Sequence, residues 1–199
     1  MKSGSDKMEL DEIFSGAIDE SAKVILSLVE VIPQIKRACE LIADSFERGG
    51  KLLIFGNGGS AADAQHFSAE LVGKFRSSQR KALPAIALTV DTSALTAISN
   101  DWDFEYVFER QIEALGEEGD VAFGISTSGR SKNVLRALKK AKDMGLTTIS
   151  LVGQNTQDVS HFSDLVISVR SSDTQRIQEA HSVVIHLICE GIENIISNK

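Results

Sequence analysis

Residues 51–71 read KLLIFGNGGSAADAQHFSAEL and contain three local patterns in succession. Residues 51–55 are a short apolar run with the length of a buried β-strand. Residues 56–60 are rich in glycine, which allows positive φ and a close approach to a ligand. Residues 61–71 are rich in helix formers. The stretch therefore predicts a strand, a glycine turn and a helix whose first N–H groups can bind an anion, with Ser60 as a helix cap or an anion ligand.

Four further apolar runs have the length of buried strands. They lie at residues 85–88, 121–125, 147–152 and 165–169. Helical patterns separate these runs, at residues 93–116 with a break at 100–103, at 134–141 before Gly145, and at 174–196. Short apolar strands that alternate with helices predict the α/β class, with a five-stranded parallel sheet flanked by helices on both faces.

Two helices are predicted before the first strand. Apolar residues recur at three- and four-residue steps from 10 to 32 and stop near Pro33, and the pattern repeats from 35 to 46 before Gly49 and Gly50. The chain of 199 residues is expected to form one domain, with a helical hairpin at about 8–50 and an α/β core at about 51–199. The long apolar stripe of the hairpin can pack on the sheet or on another subunit. Residues 1–7 are polar and lack the apolar core of a signal peptide.

Composition excludes several classes of partner. The net charge is −7, which implies no general attraction to nucleic acid. Apolar runs fall short of the roughly 20 residues that a membrane helix needs. Cys39 and Cys189 both lie in apolar helical patterns, so two buried free thiols are expected rather than a disulfide. These features favour a cytoplasmic protein without a membrane or nucleic-acid partner.

A second loop resembles the first in its expected chemistry. Residues 124–131 read GISTSGRS, directly after the third predicted strand. Four hydroxyl side chains crowd this helix start, whereas an N-cap requires only one. They belong to Ser126, Thr127, Ser128 and Ser131. Because ligands bind at the carboxyl ends of strands in open parallel sheets, the two loops together predict a phosphorylated ligand that is held from two sides.

A dinucleotide site is the weaker alternative. Gly56, Gly58 and Ala61 nearly satisfy the G-x-G-x-x-G/A pattern. The acidic residue that binds the ribose is expected about 20 residues further on, at the end of the second strand. Asp91 lies about 35 residues on, so the pattern is incomplete.

His66 and Glu70 lie one turn apart, on one face of the helix after the first loop. The carboxylate is a candidate general base or half of a metal site, although such a pair is often a surface pair. The last predicted helix also carries polar candidates, which are Gln178, Glu179, His181 and His186. Spacing alone pairs Gln178 with His181, but Gln178 and His186 lie on one ridge of the helix about 12 Å apart. The spacing does not decide between the two histidines.

The remaining polar and aromatic candidates are expected in loops. Asp101 breaks a helical pattern after the second strand, where it is either a ligand for a sugar hydroxyl or a helix cap. Trp102 and Tyr106 are predicted to be packing residues, and His161 is predicted to lie on the surface.

These motifs in this order resemble phosphoheptose isomerases, members of the sugar isomerase (SIS) domain superfamily with a flavodoxin-like sheet. The shared motifs are residues 55–60 (FGNGGS), 63–71 (DAQHFSAEL), 99–101 (SND), 124–131 (GISTSGRS) and 176–181 (RIQEAH). The resemblance covers nearly all of the chain. It implies conversion of sedoheptulose 7-phosphate to D-glycero-D-manno-heptose 7-phosphate through an ene-diol. That reaction is the first step towards the ADP-heptose or GDP-heptose of lipopolysaccharide core or surface glycans.

The resemblance also implies roles for individual residues. Glu70 would move the proton between C1 and C2, and His186 would be the opposing acid/base, which favours His186 over His181. The implied substrate-binding residues are Asn57, Gly58, Gly59, Ser60, Glu70, Asn100, Asp101, Ser126, Thr127, Ser128, Ser131 and Gln178. One zinc ion per subunit would be held by His66, Glu70, Gln178 and His186. The family further implies a homotetramer with its sites at subunit interfaces.

Two positions depart from some members of the family. Lys74 stands where some carry arginine, and Gln175 stands where some carry aspartate. The main alternative is a non-catalytic SIS protein such as the DnaA-binding replication-initiation regulator, which shares motifs at residues 60–67 and 83–88. That relative lacks counterparts of Glu70 and His186, so the enzyme is favoured. An isomerase of a shorter sugar phosphate is the third possibility.

Overall fold

The computed structural model describes residues 5–197, and two helices precede the first strand, as predicted. Both pack mainly against the C-terminal helix. Helix α1 spans Ser5–Ser27, a 3-10 turn spans Leu28–Val31, and helix α2 spans Ile32–Glu47. Pro33 lies in the first turn of α2. Proline is tolerated there because the first N–H groups of a helix have no intrahelical acceptor, so its missing N–H costs no hydrogen bond. Of the polar segment at residues 1–7, residues 1–4 lie outside the described chain.

One sheet of five parallel strands forms the centre of the molecule, which confirms the predicted fold class. The strands are β1 (Leu52–Gly56), β2 (Ala85–Ala87), β3 (Val121–Ser126), β4 (Thr147–Val152) and β5 (Leu165–Ser168). Their order across the sheet is β2-β1-β3-β4-β5. In the register, Leu52 lies opposite both Ala85 and Val121.

Five helices follow the strands. They are α3 (Gly59–Val72), α4 (Thr92–Asp101), α5 (Glu109–Leu115), α6 (Lys132–Asp143) and α7 (Thr174–Ser197). Single 3-10 turns lie at Phe104–Tyr106 and Val159–His161. Helix α3 begins two residues earlier than predicted, because Gly58 takes φ +56° and directs the chain into the helix at once. The break predicted at residues 100–103 is present between α4 and α5.

The sheet separates two apolar cores. On one face, Ile54 and Phe123 pack with Phe67 of α3 and Ile188 of α7. On the other face, side chains such as Phe55 pack against α5 and α6. Neighbouring residues of β1 enter opposite cores because successive side chains of a strand point to opposite faces. Both faces are therefore covered, as the near-continuous apolar strands predict.

The strand order reverses between β1 and β3. From β1 the chain continues to β2 on one side, and from β3 it continues to β4 on the other. Loops that diverge at such a point leave a crevice at the carboxyl edge of the sheet. The glycine turn follows β1 and the hydroxyl-rich turn follows β3, so both predicted ligand loops lie at this crevice.

Within residues 5–197, no helix combines the length and the apolar character that crossing a membrane requires. Cys39 and Cys189 are free and buried, which confirms that prediction. Burial raises the pKa of the Cys39 thiol to about 11.

Candidate active site

The glycine turn after β1 places backbone donors at the crevice. Gly58 is the N-cap of α3, so Ser60 lies inside the first turn of the helix and does not cap it. Ser60 is buried, while Gly58 and Gly59 are exposed. A Cβ atom at position 59 would collide with the side-chain amide of Gln178, so glycine is required for this close approach.

The turn after β3 gathers its hydroxyl groups. The Ser126 Oγ lies 3.1 Å from the Ser131 Oγ and 3.4 Å from the Ser128 Oγ. Ser131 is the N-cap of α6, but its side chain makes no capping hydrogen bond. Thr127 is half-buried between them, and its carbonyl accepts a hydrogen bond from the Gly153 N–H. The hydroxyl groups therefore converge on one another at the start of α6 and can receive an anion.

A pair of amides connects the two turns. The Asn57 Nδ2 donates to the Asn133 Oδ1 at 2.8 Å, and the Asn133 Nδ2 donates to the Asn57 Oδ1 at 2.9 Å. Asn133 is buried in the first turn of α6, and its Oδ1 also accepts from the Val134 N–H. Sequence reasoning did not identify Asn133. Its only signal is an asparagine two residues after the hydroxyl-rich turn, which a surface position would explain equally well.

Helices α3 and α7 run side by side in the same direction and share a row of contacts. The Gln178 amide lies against Gly59, the Ser182 Oγ donates to the Asp63 Oδ1 at 3.2 Å, and His186 meets His66. Each step advances by about one turn on both helices. The ridge of residues 178, 182 and 186 therefore faces α3. This arrangement agrees with the alternative in which Gln178 and His186 lie on one ridge, rather than with the pairing of Gln178 and His181.

Three side chains form a cluster at the end of this row, where His66 meets His186. The His66 Nε2 lies 2.8 Å from the His186 Nε2, and the His66 Nδ1 lies 3.8 Å from the Glu70 Oε1. Ligand atoms of His66, Glu70 and His186 all lie within 4.8 Å of one another. The His66 side chain is 42% exposed and that of Glu70 is 24% exposed, so both are open to a ligand. Two imidazoles and a carboxylate form a donor set that suits zinc.

Asp63 lies one turn before His66 and was not singled out from the sequence. Burial raises the pKa of its carboxyl, and the hydrogen bond from Ser182 and the nearby His66 only partly oppose this. The Asp63 Oδ2 is buried and has no hydrogen-bond partner within residues 5–197. The site therefore borders a second carboxyl group with reduced acidity.

His181 and His186 have different surroundings. His181 is fully buried near Val152 at the end of β4, and neither ring nitrogen finds a hydrogen-bond partner in the described chain. Burial lowers the pKa of His181 to about 4, and the nearby Val152 backbone offsets only part of this shift. Gln178 faces α3 instead, so the structure separates the pair that spacing alone suggested.

Two of the predicted sugar ligands lie at the end of α4. Asn100 and Asp101 are exposed at the end of α4, where the Asn100 Nδ2 donates to the Asp101 Oδ1 at 2.9 Å. Asp101 is not a helix N-cap, because Asp91 caps α4 and Asp103 caps the 3-10 turn that follows. The Asp101 carboxylate is also outside the cluster around His66, as far as residues 5–197 show.

Trp102 is 57% exposed and lies near the Arg110 guanidinium, so the prediction that it is a packing residue is wrong. The prediction failed because an aromatic residue after a helix break gives no sign of which way it faces. Tyr106 is partly buried under the Arg136 guanidinium. His161 lies on the surface, as predicted, and Lys74 and Gln175 are exposed.

Comparison with known proteins identifies relatives along most of the chain. A family model described as the SIS domain matches residues 9–153. The phosphoheptose isomerase of Aquifex aeolicus is 52% identical over 181 residues, which cover 90% of this chain and 94% of that protein. The phosphoheptose isomerase of Campylobacter concisus is 49% identical over 184 residues, which cover 92% of this chain and 97% of that protein.

Solved structures agree with these relatives. The phosphoheptose isomerase GmhA of Neisseria gonorrhoeae superposes with a TM-score of 0.88 at 41% identity, over 93% of this chain and 99% of that one. A phosphoheptose isomerase of Francisella tularensis superposes with a TM-score of 0.89 at 35% identity, over 94% and 98%. The comparisons give no support to a replication-initiation regulator. The chain therefore belongs to the phosphoheptose isomerases, enzymes of the SIS-domain superfamily.

Proposed function

We propose that the chain converts sedoheptulose 7-phosphate to D-glycero-D-manno-heptose 7-phosphate. The observation that carries this proposal is the cluster of His66, Glu70 and His186 on and beside the helix that begins at the glycine turn, in a chain that is 52% identical to a phosphoheptose isomerase. Interconversion of a ketose and an aldose removes a proton next to a carbonyl group and returns one to the neighbouring carbon. A carboxylate base and an imidazole acid suit both steps.

In this proposal Glu70 takes the proton from C1 and delivers it to C2. His186 moves the proton between the two oxygens of the ene-diol. The contact between the His66 Nε2 and the His186 Nε2 supports the role of His186, because it fixes the imidazole beside the carboxylate. His181 is excluded from this role, because a fully buried ring cannot reach a substrate.

The two turns would hold the phosphate. Backbone groups at Gly58 and Gly59 and the hydroxyls of the turns would supply the hydrogen bonds, from Ser60, Ser126, Thr127, Ser128 and Ser131. Asn57 and Gln178 at the crevice would contact the sugar, together with Asn100 and Asp101 from the end of α4. The phosphate is remote from the reacting carbons, so its binding energy positions the sugar for proton transfer.

We also propose that the cluster binds one zinc ion per subunit. Ligand atoms of His66, Glu70 and His186 are close enough to share one ion. The resemblance to the family makes Gln178 the fourth ligand, and in this structure its amide lies against Gly59, two turns of α7 before His186. A bound zinc ion would polarise the carbonyl group of the sugar as a Lewis acid.

Assembly into a homotetramer accounts for an apolar face of α1. Leu10, Ile13, Phe14 and Ile18 follow helical spacing and are exposed, Ile18 at 69%. Contiguous apolar surface of this kind is typical of protein interfaces. Sites at subunit interfaces would also explain how Asp101, which is exposed at the end of α4, could reach the sugar of a neighbouring subunit. We place the enzyme in the cytoplasm, where its product would enter heptose synthesis for surface glycans.

The decisive experiment is an assay of the purified protein with sedoheptulose 7-phosphate, with and without zinc, and in parallel with hexose and pentose phosphates. We expect turnover of the heptulose phosphate alone. Turnover of a shorter sugar phosphate instead of the heptulose phosphate would support the isomerase reaction but show that the proposed substrate is wrong. Failure to turn over any of these sugars would overturn the proposal.

A further inference from the structure

A buried guanidinium group lies at the end of the helix that carries Glu70. Arg80 has a side chain that is only 3% exposed. Its Nη2 donates to the carbonyl oxygens of Glu70 at 2.9 Å and Gly73 at 3.1 Å, and its Nη1 donates to the Leu71 carbonyl at 2.8 Å. The last carbonyl groups of a helix lack intrahelical donors. Arg80 therefore supplies donors to the final turn of α3, including the backbone of Glu70 itself.

Glu193, a residue of α7, forms an ion pair with Arg80. The Arg80 Nε lies 3.1 Å from the Glu193 Oε2, and the Glu193 Oε1 accepts from the Ser77 N–H at 2.7 Å. Burial alone would raise the pKa of the Glu193 carboxyl, but the hydrogen bonds from Ser77 and Arg80 outweigh burial and lower it. Glu193 is thus a charged, hydrogen-bonded group between α7 and the segment that follows α3.

The pair joins the two helices that carry the cluster. Glu193 follows His186 by seven residues, which is two turns along the same face of α7. The buried Cys189 thiol lies between the pair and the cluster, and its pKa is raised to about 12 by burial and then by the nearby Glu70 carboxylate. One ion pair therefore fixes the end of α3 relative to α7 just beyond the cluster.

We propose that Arg80 and Glu193 are positioning residues, which set the location of Glu70 relative to His186. This inference rests on the function proposed above. Arg80 contacts the backbone of Glu70 and not its carboxylate, so the pair acts through the backbone of α3 and its contact with α7. The expected consequence is kinetic, because a displacement of about 1 Å between reacting groups can lower a rate about 100-fold.

A nearby ion pair provides the matched control. The Arg76 Nη1 lies 2.7 Å from the Glu190 Oε1, so this pair joins the same segment to the same helix. It is exposed, at 67% for Arg76 and 44% for Glu190, and exposed pairs contribute little. Arg76→Met therefore removes an arginine from the same connection without disturbing the end of α3.

The test compares Arg80→Met, Arg80→Lys, Glu193→Gln and Arg76→Met with the wild type, at a temperature well below each melting point. We expect Arg80→Met to lower kcat by about 10- to 100-fold with KM within about threefold, and Arg80→Lys to recover part of the loss. Arg76→Met should keep the wild-type kcat. A folded Arg80→Met protein with the wild-type kcat and only a lower melting point would overturn the proposal.

Two measurements keep the outcome decisive. If Arg80→Met does not fold, Glu193→Gln tests the positioning role in its place, because it removes the charge of Glu193 and keeps an acceptor for the Ser77 N–H. An unchanged kcat in Glu193→Gln refutes the inference. If the wild type turns over no sugar phosphate, the proposed function fails by itself. Amide hydrogen exchange then tests the connection, with faster exchange at residues 69–72 expected in Arg80→Met and not in Arg76→Met. Equal exchange in both variants refutes it.

Discussion

The imidazole of His66 lies 2.8 Å from that of His186, although 120 residues separate them in the chain. The contact exists because α3 and α7 run in the same direction along one face of the sheet. Both rings belong to ridges that meet in register, from Gly59 and Gln178 onwards. The chemistry of the site therefore depends on how two helices pack.

Glu70→Gln should lower kcat by at least about 100-fold and leave the fold intact. The amide keeps the shape of the side chain but cannot accept a proton, and general base catalysis contributes about 10²- to 10⁴-fold. Steady-state kinetics and circular dichroism measure the two effects. Glu118→Gln, at an exposed glutamate in another loop, is the control and should retain full activity. An active Glu70→Gln protein would remove Glu70 from the mechanism.

Protein purified without a chelator should contain about one zinc ion per subunit. His66→Gln and His186→Gln should each lose the metal, because each removes one of the three clustered ligands. Metal analysis by mass spectrometry provides the measurement. His161→Gln changes an exposed histidine outside the cluster and should retain the metal. Equal zinc content in all three variants would show that the ion binds elsewhere.

Asn133→Ala should raise KM for the sugar phosphate by roughly 10-fold and destabilise the protein by about 1–3 kcal/mol. The variant removes two hydrogen bonds between the turns and leaves the Asn57 amide without its partner. Asn133→Asp is the informative comparison, because it keeps the acceptor but adds negative charge beside the phosphate. KM should therefore rise further in Asn133→Asp, and an unchanged KM in both variants would contradict a linked pair of turns.

The stability of the protein should fall as the pH falls from about 6.5 to about 4, in part because of His181. Its pKa is lowered in the folded state, to about 4 from 6.5. As the pH falls, the unfolded chain therefore binds the proton before the folded chain does. The contribution of His181 to the free energy of unfolding is complete above pH 6.5 and is lost on acidification, by up to about 3 kcal/mol. Denaturant unfolding of His181→Leu should show a shallower pH dependence than the wild type. His161→Gln should keep the wild-type slope, and a His181→Leu profile parallel to the wild type would refute the assignment.

Phe14→Lys combined with Ile18→Lys should reduce the size of the assembly in sedimentation velocity experiments. Both side chains are exposed on the apolar face of α1, where charge would oppose burial between subunits. Glu12→Lys changes the opposite side of the same helix and should leave the assembly unchanged. A wild type that sediments as a monomer would exclude the proposed tetramer.

Periodic apolar patterns predicted most of the fold. The five strands and the helices between them are local features, which sequence periodicity records well. The start of α3 and the place of Pro33 differed from expectation, because the backbone conformation of Gly58 and the first turn of α2 decide these boundaries rather than any apolar pattern.

The site was harder to predict because it depends on long-range contacts. Spacing on α7 left His181 and His186 equally plausible, and only packing shows that one faces the sheet and the other faces α3. Asn133 and Arg80 carry no motif of their own, and their partners lie on other elements. A single sequence contains no signal for such pairs.

The separation of His66 from His186 also has a consequence for synthesis of the chain. A ribosome that adds 5–20 residues per second takes about 6–24 s to make the 120 residues between them. During that interval α3 can carry His66 and Glu70, but the opposing imidazole has not yet been made. A nascent chain released before α7 would therefore hold half of a proton-transfer site, and catalytic competence would come only when α7 docks.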